Sequence, residues 1–343
     1  MLAAAPRRHF VTLGMFIIDQ FAFLDEHGAP TDKTWPDQIG GGGTYASIGA
    51  RIWLAPDRLG MIVDRGHDFP EDIQRKLDSY GTEMWLYRDD ASRGTTRALN
   101  EYKGELRGFR YLTPRVRLTP KDLINTSLEQ PATIHFICSP SRANAIVSEI
   151  KQVPGWSPIT IYEPIPDRCV PEELPALREV LAAISILSPN ADEALSLLSI
   201  PGEPTKATVE DAARRFLDMG VGPDGQGAVI IRSGAMGAFI STRERGGRWV
   251  PAFWGPEDAS KIVDVTGAGN SFLGGLSAGL LLENGDVYKA VLYATVSASF
   301  IIEQEGLPML TRKVGDDGLT VELWNGDTPW RRLEDLRSRT LDL

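Results

Sequence analysis

The chain has 343 residues, long for one small domain and short for three of average size. Apolar residues make up 42% and charged residues 24%, which is the balance of a folded globular protein and excludes a disordered chain. A formal net charge of −10 argues against nucleic acid as a partner, and no run approaches the ~18 consecutive apolar residues of a membrane span.

Two cysteines, Cys138 and Cys169, form no CxxC pair and no disulfide framework, which predicts a reducing, cytoplasmic setting. The four histidines, His9, His27, His67 and His135, show no metal-ligand spacing. Residues 1–8 are rich in Ala and Arg, but a strand pattern from about His9 leaves little room for a signal or transit peptide.

In chain order, residues 10–18 read as one buried strand ending at Asp19. A helix is predicted over 44–54, a strand over 60–63, and a helix over 70–80 that Gly81 stops. Strands follow at 133–138, 158–162 and 184–187, with helices near 141–152, 172–181 and 191–199. A helix over 209–219 closes at Gly220, and strands are predicted at 229–231, 238–240 and 261–263. Helices over 270–282 and 286–302 complete the pattern. Strands that alternate with helices predict a mostly parallel sheet covered on both faces, a three-layer α/β/α domain over 9–312.

Two polar, turn-rich segments, about 20–38 and 95–117, interrupt this alternation. Residues 96–102 alternate loosely, as an antiparallel strand would. The segments read as a small β lid or as surface decoration. The extension over 313–343 carries Leu323, Trp324 and Trp330, anchors for packing on the domain.

The most informative run is Asp264-Val265-Thr266-Gly267-Ala268-Gly269-Asn270, placed between a strand candidate and a helix candidate. Small residues at a helix mouth leave backbone N–H groups free, and those groups with the helix dipole favour an anion. Three further stretches accompany it. Gly40-Gly41-Gly42-Gly43-Thr44-Tyr45 opens a helix, where glycines allow a close approach of backbone to ligand. Ser188-Pro189-Asn190-Ala191-Asp192-Glu193 places Asn190 and Glu193 as a capping box, a complete structural explanation by itself. Arg232-Ser233-Gly234-Ala235-Met236-Gly237 joins two apolar runs and reads equally as an ordinary turn.

In this order and spacing the stretches resemble the PfkB, or ribokinase-like, carbohydrate kinases over roughly residues 10–310, and within them the fungal maintenance-of-killer branch. The resemblance implies a ribokinase-like fold and ATP- and Mg²⁺-dependent phosphorylation of a sugar or nucleoside hydroxyl. It assigns the phosphoryl-transfer loop to Gly267, Ala268, Gly269 and Asn270. It assigns acceptor binding to Asp19, Gly40, Gly41, Gly42, Gly43 and Tyr45. Arg232, Ser233, Gly234, Gly237 and Thr266 would border the nucleotide, and Thr295 and Ser299 its adenine. Asn190 and Glu193 would serve magnesium, and carbonyls near Asp264 and Thr266 a K⁺ ion. The family's lids also allow either a monomer or a lid-mediated homodimer.

Two departures stand out. Tyr45 replaces an asparagine common in sugar kinases, so it stacks on a flat acceptor group or sits in the core. Asn270 replaces the aspartate that acts as general base. Base assistance is worth ~10²–10⁴-fold, so an amide there predicts a slow kinase, a silent pseudokinase that binds sugar or nucleotide, or a scaffold.

Overall fold

The computed structural model describes residues 8–103, 106–315 and 318–340. The question of a leader falls on residues 1–7, outside that range, as do residues 104–105 of the second lid segment and residues 316–317 and 341–343 of the extension.

The first half of the chain supplies β1 (Phe10–Thr12), β2 (Ile17–Leu24), β3 (Gln38–Gly40), α1 (Gly42–Arg51), β4 (Leu59–Gly66), α2 (Glu71–Asp78) and β5 (Trp85–Asp90). Then come β6 (Arg97–Lys103), β7 (Leu106–Tyr111), β8 (Thr133–Cys138), α3 (Pro140–Lys151), β9 (Ile159–Pro164) and α4 (Leu174–Leu181). The second half adds β10 (Ile186–Leu187), α5 (Ala191–Leu197), α6 (Lys206–Asp218), β11 (Ala228–Arg232), β12 (Ala238–Thr242) and β13 (Gly246–Val250). It ends with α7 (Ala268–Leu282), α8 (Val287–Ile301), β14 (Leu310–Val314), β15 (Thr320–Trp324) and α9 (Pro329–Ser338).

Nine strands form the central sheet in the order β13-β12-β11-β10-β9-β8-β1-β4-β5. Every pairing from β5 to β11 is parallel, and the β11–β12 and β12–β13 pairings are antiparallel. Successive strand residues feed opposite cores, as a doubly covered sheet requires. In β11, Ile230 enters the core built with α1, α7, α8 and α9, while Val229 and Ile231 enter the core built with α3, α4, α5 and α6. Helices α1 and α7 approach unusually closely: a Cβ on Gly274 would lie 1.8 Å from the Ala46 carbonyl oxygen, so only glycine fits there.

A separate four-stranded sheet, β3-β2-β6-β7, forms the lid. It corrects two expectations. Residues 10–18 are not one strand: Gly14 N–H donates to Thr12 Oγ1 (3.0 Å), the chain leaves the central sheet there, and β2 begins in the lid. Asp19 therefore lies within a lid strand, paired with Gln38 and Ala98, rather than at the end of a central strand. The strand expected around residues 96–102 does pair antiparallel, with β7, but on its other side it runs parallel to β2.

The strand expected at 261–263 is absent. Lys261 ends a 3-10 segment, and Val263 N–H donates to the Ile302 carbonyl (2.7 Å) at the end of α8. Among the described residues no strand pairs with it. In the extension, Trp324 is fully buried and stacks on Tyr80 at 5.8 Å, whereas Trp330 is half exposed against Trp53.

Candidate active site

The lid covers a cleft of about 860 Å³ beyond the carboxyl ends of the central strands. Asp19 reaches it from β2, Gly41 and Gly42 from the mouth of α1, and Thr266, Gly267 and Asn270 from the mouth of α7. The structure thus gathers on one cavity three stretches that lie far apart in sequence. Gly40 and Gly43 complete the tetraglycine turn just behind it, and Ala268 and Gly269 form the first turn of α7.

Asp264 Oδ1 accepts from Thr266 N–H (2.9 Å) and so shapes the turn that enters α7. Gly267 caps that helix in the left-handed region (φ 78°), and a Cβ on it would come within 2.3 Å of the Tyr45 ring. Tyr45 itself is 4% exposed. Its ring serves as the floor on which the loop rests, and it also lines the cleft beside Gly41 and Gly42.

Asn270 is tied to a residue that the sequence motifs did not single out. Its Nδ2 donates to Glu163 Oε2 (2.7 Å) at the end of β9. Glu163 also forms an ion pair with Arg232, whose Nη1 lies 2.8 Å from Oε1. His135 Nε2 stands 3.4 Å from Glu163 Oε2, an electrostatic contact. Burial resists ionisation of Glu163, but Arg232 and the donors around it win and hold its carboxyl below the usual range. One signal could have exposed it: a carboxylate just beyond a predicted strand, at the edge where ligands bind in such sheets.

Arg232 was expected to meet phosphate. Instead its guanidinium is turned inward, bonded to Glu163 and to the Ser188 carbonyl (3.0 Å) and 3.7 Å from Glu193. Glu193 and Asn190 form the capping box: Glu193 N–H donates to Asn190 Oδ1 (2.8 Å) and Asn190 N–H donates to Glu193 Oε2 (2.7 Å). Burial pushes the Glu193 carboxyl up to about 7, against the pull of Arg232. Both residues are engaged in the cap, a cation already faces the carboxylate, and neither borders the cleft. The pair thus shows its cap here, and the role the resemblance implies toward magnesium is one exerted through water; among the described residues no group of three or more His, Cys, Asp or Glu is placed to hold a metal.

Ser233 is buried and donates to Ile231 O, while Gly234 and Gly237 shape the turn from β11 to β12, away from the cleft. Thr295 donates to Val291 O (2.9 Å) within α8. Ser299 donates to Val296 O (2.7 Å) and accepts from Arg332 Nη1 (2.9 Å) of α9. Both are buried and neither borders the cleft. Sequence reasoning also passed over the rim, where Arg115, Arg117, Arg142 and Arg168 line the cavity of an otherwise acidic chain.

The pfkB family carbohydrate kinase profile matches residues 68–309. The chain belongs to the pfkB family of carbohydrate kinases. Protein MAK32 of Saccharomyces cerevisiae is 35% identical over 94% of this chain and 90% of its own length, which sets the chain in the Mak32-type branch of the family. Among solved structures, ribokinase from Giardia lamblia superposes with a TM-score of 0.70 at 18% identity, over 88% of this chain and 96% of that one. Arabidopsis thaliana ribokinase complexed with ribose and ATP superposes with a TM-score of 0.64 at 17% identity, over 88% of this chain and 94% of that one. The fold is therefore ribokinase-like, with the β3-β2-β6-β7 sheet in the place of the lid. No helix among the described residues is long and apolar enough to cross a membrane.

Proposed function

We propose that this pfkB-family chain transfers the γ-phosphoryl group of ATP to a hydroxyl of a small sugar or nucleoside, more slowly than relatives with aspartate in the transfer loop. The observation that carries this reading is the convergence of Asp19, the tetraglycine turn and the Thr266–Asn270 loop on one lidded cavity. Asp19 accepts hydrogen bonds from acceptor hydroxyls, the task its carboxylate suits. The mouth of α7 receives the transferring phosphoryl group on its N–H groups. Magnesium enters as the counter-ion of the nucleotide phosphates, with K⁺ near Asp264 and Thr266, and we place the protein in the cytoplasm.

The test is phosphoryl transfer from ATP to a panel of sugars, nucleosides and their phosphorylated forms; the last are included because of the arginine rim. Asp19→Asn is expected to raise the acceptor KM with little change in ATP affinity. A native protein that binds ATP and acceptor but never transfers would support a second reading, a silent kinase that acts as a binding protein. Asn270 and the inward-turned Arg232 favour that alternative.

A further inference from the structure

Glu163 has no motif to explain it, yet it sits where the cleft, the transfer loop and three central strands meet. It is 6% exposed. Its neighbours are donors. Arg232 Nη1 faces Oε1 at 2.8 Å, and Asn270 Nδ2 faces Oε2 at 2.7 Å. Thr12 Oγ1 accepts from Gly14 N–H and lies 3.0 Å from His135 Nδ1. The Arg232 guanidinium and the Asn270 amide keep this carboxylate ionised although it is buried.

A purely structural ion pair would be an expensive way to join these strands, because buried charges rarely repay their desolvation. It would not need to touch the transfer loop or border the cleft, and Glu163 does both. The amide at 270 is oriented by the contact as well.

We propose that Glu163 is the catalytic carboxylate of this chain, receiving the proton that an aspartate at 270 would otherwise take. The proposal rests on the kinase reading above. In the step, the acceptor hydroxyl oxygen forms a bond to the γ-phosphorus. The bond from that phosphorus to the bridging oxygen breaks, and its electron pair leaves with ADP. The hydroxyl proton passes to Glu163, which becomes the neutral acid and then returns the proton to solvent after product leaves. Arg232 and Asn270 are positioning residues that hold the carboxylate against the cleft. The negative charge missing from position 270 is thus retained 2.7 Å away.

The test compares native protein, Glu163→Gln, Glu163→Asp, Asn270→Asp and the double variant Asn270→Asp/Glu163→Gln. The probes are ATP with D-ribose, D-fructose or adenosine, and ATP alone with water as acceptor. Glu163→Gln is expected to lower kcat by ~10²–10⁴-fold, leave the ATP KM in place and remove the acidic limb of the pH profile. The double variant is expected to regain most of the lost rate, because the carboxylate is restored one contact away. Where Glu163→Gln fails to fold, Glu163→Asp decides: it keeps the charge and the acidic limb but lowers kcat. Native kcat in Glu163→Gln, or in Glu163→Asp, overturns the proposal while leaving the kinase reading intact. Absence of turnover in all five proteins, Asn270→Asp included, overturns the kinase reading and this proposal with it.

Discussion

At the scale of single residues, Arg232 is the group on which the buried charges depend. It faces both Glu163 and Glu193 while 11% of its side chain is exposed. Removing one partner of a buried pair strands the other, at a typical cost of ~3–5 kcal/mol. Arg232→Met is therefore expected to lose about that much stability in urea unfolding, and more at pH 8 than at pH 5, where the stranded carboxylates can take up protons. Glu193 gives a separate pH signature. Its folded carboxyl titrates near 7 against an ordinary value of 4.5, so the folded state binds the extra proton between those values. Its contribution is fully present below about 4.5 and is lost as pH rises through 7. Glu193→Gln can still accept the Asn190 N–H, and its melting temperature is expected to fall less than the native one from pH 5 to pH 8. An equal pH slope in the two proteins would remove Glu193 from this account.

At the scale of elements, the loop-to-helix junctions matter most. Gly267 combines a left-handed backbone with a 2.3 Å approach to the Tyr45 ring. Gly267→Ala is expected to cost ~1–3 kcal/mol in backbone strain and to weaken ATP binding, as read by calorimetry, since the N–H groups of the first turn would shift. Junctions of this kind were legible in the sequence, because glycines and a capping pair next to apolar runs have local physical causes. The α/β alternation was legible for the same reason. What escaped was set by tertiary partners. In residues 10–18 the one mark of the break is Gly14, and it was outweighed because both halves of the run are apolar. Residues 261–263 have strand composition but no strand beside them. Glu163 and Arg232 find each other only because β9 and β11 flank the two-residue β10. Arg232 reads as a phosphate ligand in the sequence because Glu163, its ion-pair partner in the fold, is remote along the chain.

At the scale of the whole molecule, the extension is part of the core built with α1, α7 and α8. Arg332 is 3% exposed, bonded to Glu303 (2.8 Å) and Ser299, and set 3.7 Å over the Phe300 ring. Arg51 forms a two-point pair with Glu322 (2.7 and 2.5 Å) that fastens the β14-β15 hairpin to α1. Ending the chain at residue 324 would remove α9 and uncover Phe300 and Phe253. The shortened protein is expected to aggregate or to bind a hydrophobic dye, and a soluble, dye-negative product would show that the extension is dispensable. The lid leaves β7 as an edge strand, so the choice between a monomer and a lid-mediated homodimer is read by sedimentation.

The most direct measurement of the central claim is phosphorus NMR of native protein with ATP, magnesium and each acceptor of the panel. The account expects a new phosphate-ester resonance growing together with ADP, at a rate that Glu163→Gln suppresses. ATP left intact with every acceptor, under conditions where calorimetry shows ATP and an acceptor both bound, would contradict it and leave a binding protein on a kinase fold.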